Sequence, residues 1–566
     1  MNSSPSLSAK SGTRAGSIAA SPVFWLIAIS AVLLVLLTLP IVIPIGPMYW
    51  DSYIYFDAAQ RIWNGQVPDV DFLTPVGPLG YYIFAWGLEL FPRAQGLLLA
   101  QWSVLVVAVP LMGVVLADLA PRNRALAFAL LVPFFVFGVS PINVETFHSY
   151  PGFDGVGIYN RQMVLLLYVL MSGLMFLPNG RKLAVFCALT MLSLFLTKIT
   201  GFLVGGLFGI AALLAGRISL RNVVLAAIIA VLCLLALELN HHMITGYLGD
   251  IRQLVAANTG ALLPRFLTAI SIHLATILAA GVLFLALVWI DVARDTGKQR
   301  FFDRSPVWVA VVLAGGIILE TQNTGSQEFI FLWPVLLMIW GRVRRMDNKA
   351  WLVFAALAAF CVVPLFTAVA SKALRAAIIA PTYVQLPATE LKNMEQVSTK
   401  PVIMERVLLL EDHYARYDDT YKALAEQGQM PSWQLYSEHD FQMFWLLSVD
   451  KVIKDLKAYE AANGIHLQSL MTLDFTDPLP WLLDRKPTPY IQIAADPDRT
   501  LPPITDRIKA SVAATDGVLR PHCPETWARL ALRKFYAEPL QGRTVVKLNP
   551  CWDLLLRPGI LPQKAG

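Results

Sequence analysis

The sequence predicts a polytopic α-helical membrane protein with a C-terminal α/β domain outside the bilayer. Three observations predict it. The 566-residue chain is 56% hydrophobic and only 15% charged, far more apolar than a water-soluble protein needs. Residues 15–50, 94–117, 125–144 and 266–290 contain no Asp, Glu, Lys or Arg, and runs of about 20 apolar residues can cross a hydrocarbon core. Beyond residue 371 the composition changes. Asp, Glu, Lys, Arg and Pro become frequent and the apolar runs shorten, as in a soluble domain of ordinary size.

The first 21 residues are Ser-rich, polar and basic, and are expected to form a cytoplasmic tail. The apolar run behind them is too long for a signal-peptide core, so an uncleaved first span is expected. About eleven transmembrane helices are predicted, at 22–45, 94–117, 125–141, 162–178, 183–197, 199–215, 223–239, 267–290, 305–320, 327–341 and 350–371. With the N-terminus inside, sixteen Lys and Arg side chains fall in inner segments: Lys10, Arg14, Arg122, Arg124, Arg181, Lys182, Arg217, Arg221, Arg294, Lys298, Arg300, Arg304, Arg342, Arg344, Arg345 and Lys349. Six fall in outer ones: Arg61, Arg93, Arg161, Lys198, Arg252 and Arg265. That bias predicts the orientation. Residues 183–216 are apolar except for Lys198, too long for one span and short for two. A tight pair of spans with Lys198 at the outer turn keeps every later basic loop inside.

The catalytic part is therefore expected over 22–371, with outer loops at 46–93 and 142–161, and the outer domain over 372–566. VIMERVLLL, LQSLMTLDF, YIQIA and GRTVVKL read as strand-like runs. FQMFWLLSVDKVIKDLKAYEAA has helical spacing, and EDHYARYDD at 411–419 reads as a solvated acidic turn. Cys187, Cys233 and Cys361 lie in spans as small apolar residues. A disulfide between Cys523 and Cys551 is expected in an oxidising compartment; two separate buried thiols are the alternative.

The chemistry-bearing residues gather in the outer segments. YWDSYIYFDAAQRIWNGQVPDVDF at 49–72 carries Asp51, Asp57, Asp69 and Asp71. Gly65 reads as a helix stop, so 51–64 is a predicted short helix near the outer surface. Asp51 opens it, where an acid can act as an N-cap. Asp57 precedes Arg61 by four residues, the spacing of an exposed helical ion pair. Asp69 and Asp71 alternate in an extended run and point to opposite faces, one to a cavity and one to water. The aromatics Trp50, Tyr53 and Tyr55 suit an interfacial belt. TPVGPLGYYIFAWGLELF reads as a turn and a second surface helix.

The segment SPINVETFHSYPGFDGVGIYNRQ adds Glu145, His148, Asp154, Tyr159, Asn160 and Arg161. It is long and Gly/Pro-rich, like many functional loops. Its His-and-acid spacing matches no strong metal pattern. Lys198 is a lone cation in an apolar stretch, a functional candidate by default, against the bland reading of snorkelling to the interface. The turn ETQNTGSQEFIFLWP offers Glu320, Gln322, Asn323, Gln327 and Glu328, side chains suited to sugar hydroxyls and to any turn.

Taken together, these motifs resemble the C-type (GT-C) superfamily of membrane glycosyltransferases, which use polyprenyl-phosphate sugars. It includes protein O-mannosyltransferases and lipid A aminoarabinose transferases. WDSYIYFDAAQRIWNG stands where the family has its essential Asp after the first span, which maps to Asp51. GQVPDVDFLTPVGPLGYYIF is similar to the family's Gly/Pro run before the second span. Leu196-Thr197-Lys198, with Gly201 following, is similar to the family's Lys motif near the lipid phosphate. SQEFIFLWP at 326–334 occupies the place of a late polar turn. Ser52 replaces the second acid that many relatives carry, and Gln327 or Glu328 replaces a basic residue.

The resemblance implies transfer of one sugar from a polyprenyl-phosphate donor to a hydroxyl of an envelope glycan, lipid or protein, with inversion. Asp51 would be the general base. Lys198 first, and Arg161 second, would hold the donor phosphate. Asp71, Glu145, His148, Asp154, Asn160, Asn323 and Glu328 are the substrate-binding candidates. No cofactor is firmly predicted; Asp51, Asp71, Glu145 and Asp154 supply the oxygen donors that Mg²⁺ or Mn²⁺ would require. The expected setting is a bacterial-type inner membrane, with membrane lipids and no nucleic acid as partners. A lipid-linked-sugar transporter or flippase, and a non-catalytic envelope assembly protein, are the rival readings. The clustering of acids in outer loops, not within spans, and the lack of a clear internal repeat favour surface chemistry over transport.

Overall fold

A computed structural model describes residues 21–143, 150–257, 262–293, 300–322, 329–343 and 348–561. Each of the eleven apolar stretches holds helix. Among the described residues, six helices are long and apolar enough to cross a membrane: Gly96–Leu119, Ile158–Phe176, Leu220–His241, Leu274–Asp291, Ser305–Gln322 and Trp351–Thr382. Shorter apolar helices are Pro22–Leu37, Arg124–Val139, Ile199–Leu214, Leu262–Ile272 and Leu332–Val343. Leu220–His241 buries none of its residues, and Val224, Ile228, Leu232 and Leu235 are exposed along it. An apolar face of that length needs a lipid solvent. The chain is a multi-pass membrane protein.

The stretch around Lys198 forms two helices, Arg181–Thr197 and Ile199–Leu214. They fold back on each other, Gly201 lying against Leu194 and Gly205 against Met191. The apolar run at 267–290, read as one span, is interrupted at His273, whose Nε2 lies 2.7 Å from Glu320 Oε2 in a buried pair. Residues 243–257, read as part of an outer loop, form the helix Met243–Ala257.

The polar ends of the bundle segregate. At the C-terminal end of Ile158–Phe176, Arg122 donates to the Phe176 carbonyl (2.9 Å) and Arg217 to the Met175 carbonyl (3.1 Å). Arg217 and Arg342 share Asp303 there. At the N-terminal end of the same helix, about 28 Å away, lie Asn160, Arg161 and Lys198. The basic loops thus gather at one end and the candidate site at the other.

C-terminal to the long helix Asn348–Ile379 the chain forms two sheets. The small one joins Ile43–Pro44, Val397–Thr399 and Val384–Gln385, tying the exit of the first apolar helix to the C-terminal part. The larger sheet is mixed and five-stranded. Its order is Lys486–Pro487, Ser469–Thr472, Gly517–Pro521, Trp552–Leu556, Thr544–Asn549. The helix His439–Asn463 contributes a buried apolar face to this part.

Two strand readings fail here. VIMERVLLL lies in the helix Pro401–Arg416, because Ile403, Met404 and Val407 recur at helical spacing and bury one face. YIQIA makes only a bridge, Leu73 to Gln492. Residues 411–419, read as an acidic turn, are helical instead: 411–416 end that helix, 418–419 begin the helix Asp418–Glu426, and only Tyr417 lies between them.

Cys523 and Cys551 are joined by a disulfide, their Cα atoms 5.0 Å apart. The bond ties the chain after Gly517–Pro521 to the turn before Trp552–Leu556, closing a loop of 28 residues. Replacing both by serine is expected to cost about 2–4 kcal/mol, read as a lower Tm of the purified chain under non-reducing conditions. An unchanged Tm would show that the bond adds nothing.

Candidate active site

The helix Asp51–Trp63 anchors the site. Asp51 in the first turn and Arg61 in the last suit the helix dipole. Asn64 and Gly65, the latter at φ +79°, end it. It does not lie on a surface. Trp50 packs on Tyr436 and Phe475 at ring distances of 4.0 and 4.3 Å. Tyr53 stacks on Trp445 at 5.0 Å, and Phe56 meets Trp481 at 4.2 Å. The expected interfacial belt is instead a buried seam under the C-terminal part. Polar contacts follow the same seam: Gln60 donates to the Arg485 carbonyl (3.0 Å) and Arg61 to that of Thr488 (2.6 Å). The Asp57–Arg61 pair forms at 2.8 Å, but both side chains are buried, not exposed as their spacing implied.

Asp51 is held from across the fold. The Gly/Pro-rich segment before Ile158–Phe176 lies on residues 44–49, where Phe153 N–H donates to the Pro44 carbonyl (2.9 Å) and Gly155 N–H to that of Pro47 (3.2 Å). A Cβ on Gly155 would sit 2.4 Å from the Tyr49 Cα, so only glycine fits. Gly157, at φ +64°, turns the chain into the helix, and its N–H donates to Asp51 Oδ2 at 2.8 Å. Asp51 is therefore not the cap of its own helix; Trp50 holds that position. Burial pushes the Asp51 carboxyl up to about 6, against the pull of the Gly157 N–H, Arg161 and Arg499.

Lys198 is fixed by the next turn of the same helix. Its ammonium donates to Asn160 Oδ1 at 2.7 Å and lies 5.0 Å from the centre of the Tyr159 ring. The turn at 75–78 docks on this corner, Gly77 N–H donating to the Thr197 carbonyl (3.0 Å). Asp51 and Lys198 both line one cavity of about 590 Å³, within the size range of small-molecule sites. Ile199, Tyr247, Ile251 and Leu254 form its apolar flank, and Pro431–Trp433 and 494–500 with Trp527 form its roof.

Other sequence candidates lie elsewhere. Arg161 is buried behind the cavity wall, its guanidinium donating to Gln101 Oε1 (2.8 Å) and to the Val156 (2.6 Å) and Asp154 (3.1 Å) carbonyls. It braces the loop that presents Gly157 and is absent from the cavity lining. Asp154 Oδ2 accepts the Asn143 N–H at 2.6 Å, clasping the same loop; burial raises its carboxyl to about 7.

Residues 66–73 are not an extended run but a tight turn, with Asp69 at φ +64°. Asp71 Oδ2 accepts the Val67 N–H at 2.9 Å within it, and Asp71 is absent from the cavity lining that holds Asp51 and Lys198. Asp69 is the buried member, accepting the Thr74 hydroxyl at 2.6 Å. Its neighbour Asp250 accepts the Thr74 N–H at 3.2 Å. Glu145, His148, Asn323 and Glu328 lie outside the described residues.

Among the described residues, no three His, Cys, Asp or Glu side chains stand together as a metal site. The Asp51, Asp71 and Asp154 carboxylates each accept a backbone N–H through Oδ2.

Sequence reasoning missed Arg265, Arg499, Trp433 and Trp527, all on the cavity. It also missed the helix Met243–Ala257, although Tyr247, Ile251, Leu254 and Val255 recur at helical spacing.

No protein-family model and no curated protein matches this chain. Two solved structures resemble it, both of ArnT from Cupriavidus metallidurans. The one bound to undecaprenyl phosphate has a TM-score of 0.45 at 16% identity, covering 95% of this chain and 99% of that one. The apo structure has a TM-score of 0.40 at 14% identity, covering 94% of this chain and 98% of that one.

Proposed function

We propose that the chain is a membrane glycosyltransferase of the GT-C type, moving one sugar from a polyprenyl-phosphate donor to a hydroxyl acceptor in the cell envelope. One observation carries this reading. A carboxylate with a raised pKa and an ammonium share a cavity flanked by apolar side chains at one end of a membrane bundle. That combination suits a lipid phosphate, an anomeric carbon and a hydroxyl nucleophile together.

Asp51 takes the proton from the acceptor hydroxyl. The acceptor oxygen attacks the anomeric carbon as the bond from that carbon to the phosphate oxygen breaks. The phosphate leaves with the electron pair and is stabilised by Lys198. A single displacement inverts the anomeric centre. Arg161 supports the site from behind by holding the 154–156 backbone, and Asn160 aims Lys198. Arg265 and Arg499 add positive charge on the cavity wall.

In this reading about eleven helices span a bacterial-type inner membrane. The basic loops face the cytoplasm, and the cavity and residues 372–566 face outward. The test is mass spectrometry of cell-envelope glycans, lipids and proteins with and without the chain. One class is expected to lose a single sugar residue in the deletion strain and to regain it on complementation. Identical spectra, with undecaprenyl-phosphate-linked sugars equally unchanged, would sink the transferase reading.

A further inference from the structure

The cavity has two chemically different halves. The half contributed by residues 48–322 is mostly apolar and carries Asp51, Lys198 and Arg265. The roof is built from C-terminal residues: Trp433, Trp527, Asp496, Asp498 and Thr500. Trp433 is 57% exposed, although an indole gains more from burial in a core than almost any side chain. The roof is also rigid where the indoles sit. Trp527 N–H donates to the Met430 carbonyl at 2.9 Å, and the Ser432 and Thr526 hydroxyls meet at 2.8 Å. One half-turn on, Arg529 is buried against Asp474 at 2.6 Å. The acidic loop is pinned by Thr500, whose hydroxyl donates to the Ala494 carbonyl (2.7 Å) and accepts the Asp496 N–H (2.8 Å). Arg499 of that loop and Asp51 line the same cavity, so the roof and the proposed base share it.

Resting on the transferase reading, we infer that this roof is the acceptor subsite and that the acceptor is a carbohydrate. Indole faces cover the apolar C–H face of a pyranose ring, and carboxylates accept its hydroxyl protons. None of the lining residues belongs to a strand, so the roof offers a peptide no sheet edge for main-chain pairing. An acyl chain would be met by an uncharged apolar wall, whereas this roof carries Asp496, Asp498 and Arg499. The acidic loop beside Asp51 orients one hydroxyl of the terminal sugar towards the base.

The test uses the purified full chain in nanodiscs. The probe is the oligosaccharide released from the envelope of the deletion strain, which lacks the transferred sugar. Binding is read by saturation-transfer NMR, and undecaprenyl phosphate binding is measured beside it. Trp433→Gln changes an exposed side chain and leaves the fold intact. It is expected to weaken oligosaccharide binding roughly tenfold while undecaprenyl phosphate binding stays as in the parent; Trp433→Phe is expected to retain most of the affinity. Trp527→Gln and Asp498→Asn should act in the same direction. Parent-level oligosaccharide binding in Trp433→Gln and Asp498→Asn overturns the inference. So does the absence of oligosaccharide binding by the parent, which hands the acceptor to a lipid or a protein. A deletion strain with an unaltered envelope overturns the transferase reading itself, which separates the two failures.

Discussion

Asp51→Asn is expected to lower turnover by about 10²–10⁴ and at the same time to raise the heat stability of the protein near neutral pH. Both effects come from one environment. The carboxyl is buried, its Oδ2 takes the Gly157 N–H, and burial moves its pKa from 3.8 to about 6. A base must be ionised to take a proton, so kcat/KM of the parent should rise about tenfold per pH unit below 6 and level off above it. The stability effect has the opposite sense. The folded chain holds this proton to higher pH than the unfolded chain does. The stability from this group is therefore complete at low pH and is lost as pH rises from about 4 to 6, by roughly 3 kcal/mol. The asparagine keeps an oxygen for the Gly157 N–H and carries no charge to desolvate. An Asp51→Asn protein that turns over normally, or a flat pH profile between 5 and 7, would remove Asp51 from the role of base.

The membrane part is legible in the sequence because the bilayer imposes one simple demand, a long apolar run. The run around Lys198 illustrates how far that goes. Its length and single cation predict two helices meeting at the lysine, and the helices Arg181–Thr197 and Ile199–Leu214 do meet there. What covers an apolar side chain is less legible. Trp50, Tyr53 and Tyr55 have the composition of an interfacial belt, yet Trp50 and Tyr53 bury against Tyr436, Phe475 and Trp445, with Phe56 on Trp481 beside them, and Tyr55 packs on Tyr81 and Phe84. The C-terminal partners lie 386 to 425 positions away, and no local pattern links them. The same limit applies to Asp57 and Arg61. Their spacing predicts an ion pair but carries no information about burial.

The site is legible in its poles and not in its walls. Asp51 and Lys198 stand out because a carboxylate at a membrane exit and a cation in an apolar run are both costly. Arg161, the second phosphate candidate, lies in a polar outer segment, and its charge holds loop carbonyls. Only the three-dimensional arrangement separates a bracing guanidinium from an open one. Arg499, Trp433 and Trp527 sit in ordinary-looking soluble sequence, and the fold alone brings them above Asp51.

Lys198→Ala is expected to slow turnover by about 10²–10³, the loss of ~2.7–4 kcal/mol of transition-state stabilisation. The sugar phosphate of the donor is a diester with one negative charge, and the leaving polyprenyl phosphate is a monoester that gains a second. An ammonium beside it therefore stabilises the departing phosphate more than the bound donor. Its removal should lower kcat more than it raises KM. The fold should survive. The Lys198 backbone is extended, at φ −162° and ψ 130°, and its side chain is half-buried at a helix–helix corner with its ammonium on Asn160. Asn160→Ala leaves the charge but frees its aim, so a smaller loss in kcat is expected there. Steady-state kinetics with a polyprenyl-phosphate sugar separate the cases. A Lys198→Ala enzyme with the kcat of the parent would move the phosphate to another cation, and Arg265→Ala would then be expected to carry the loss instead.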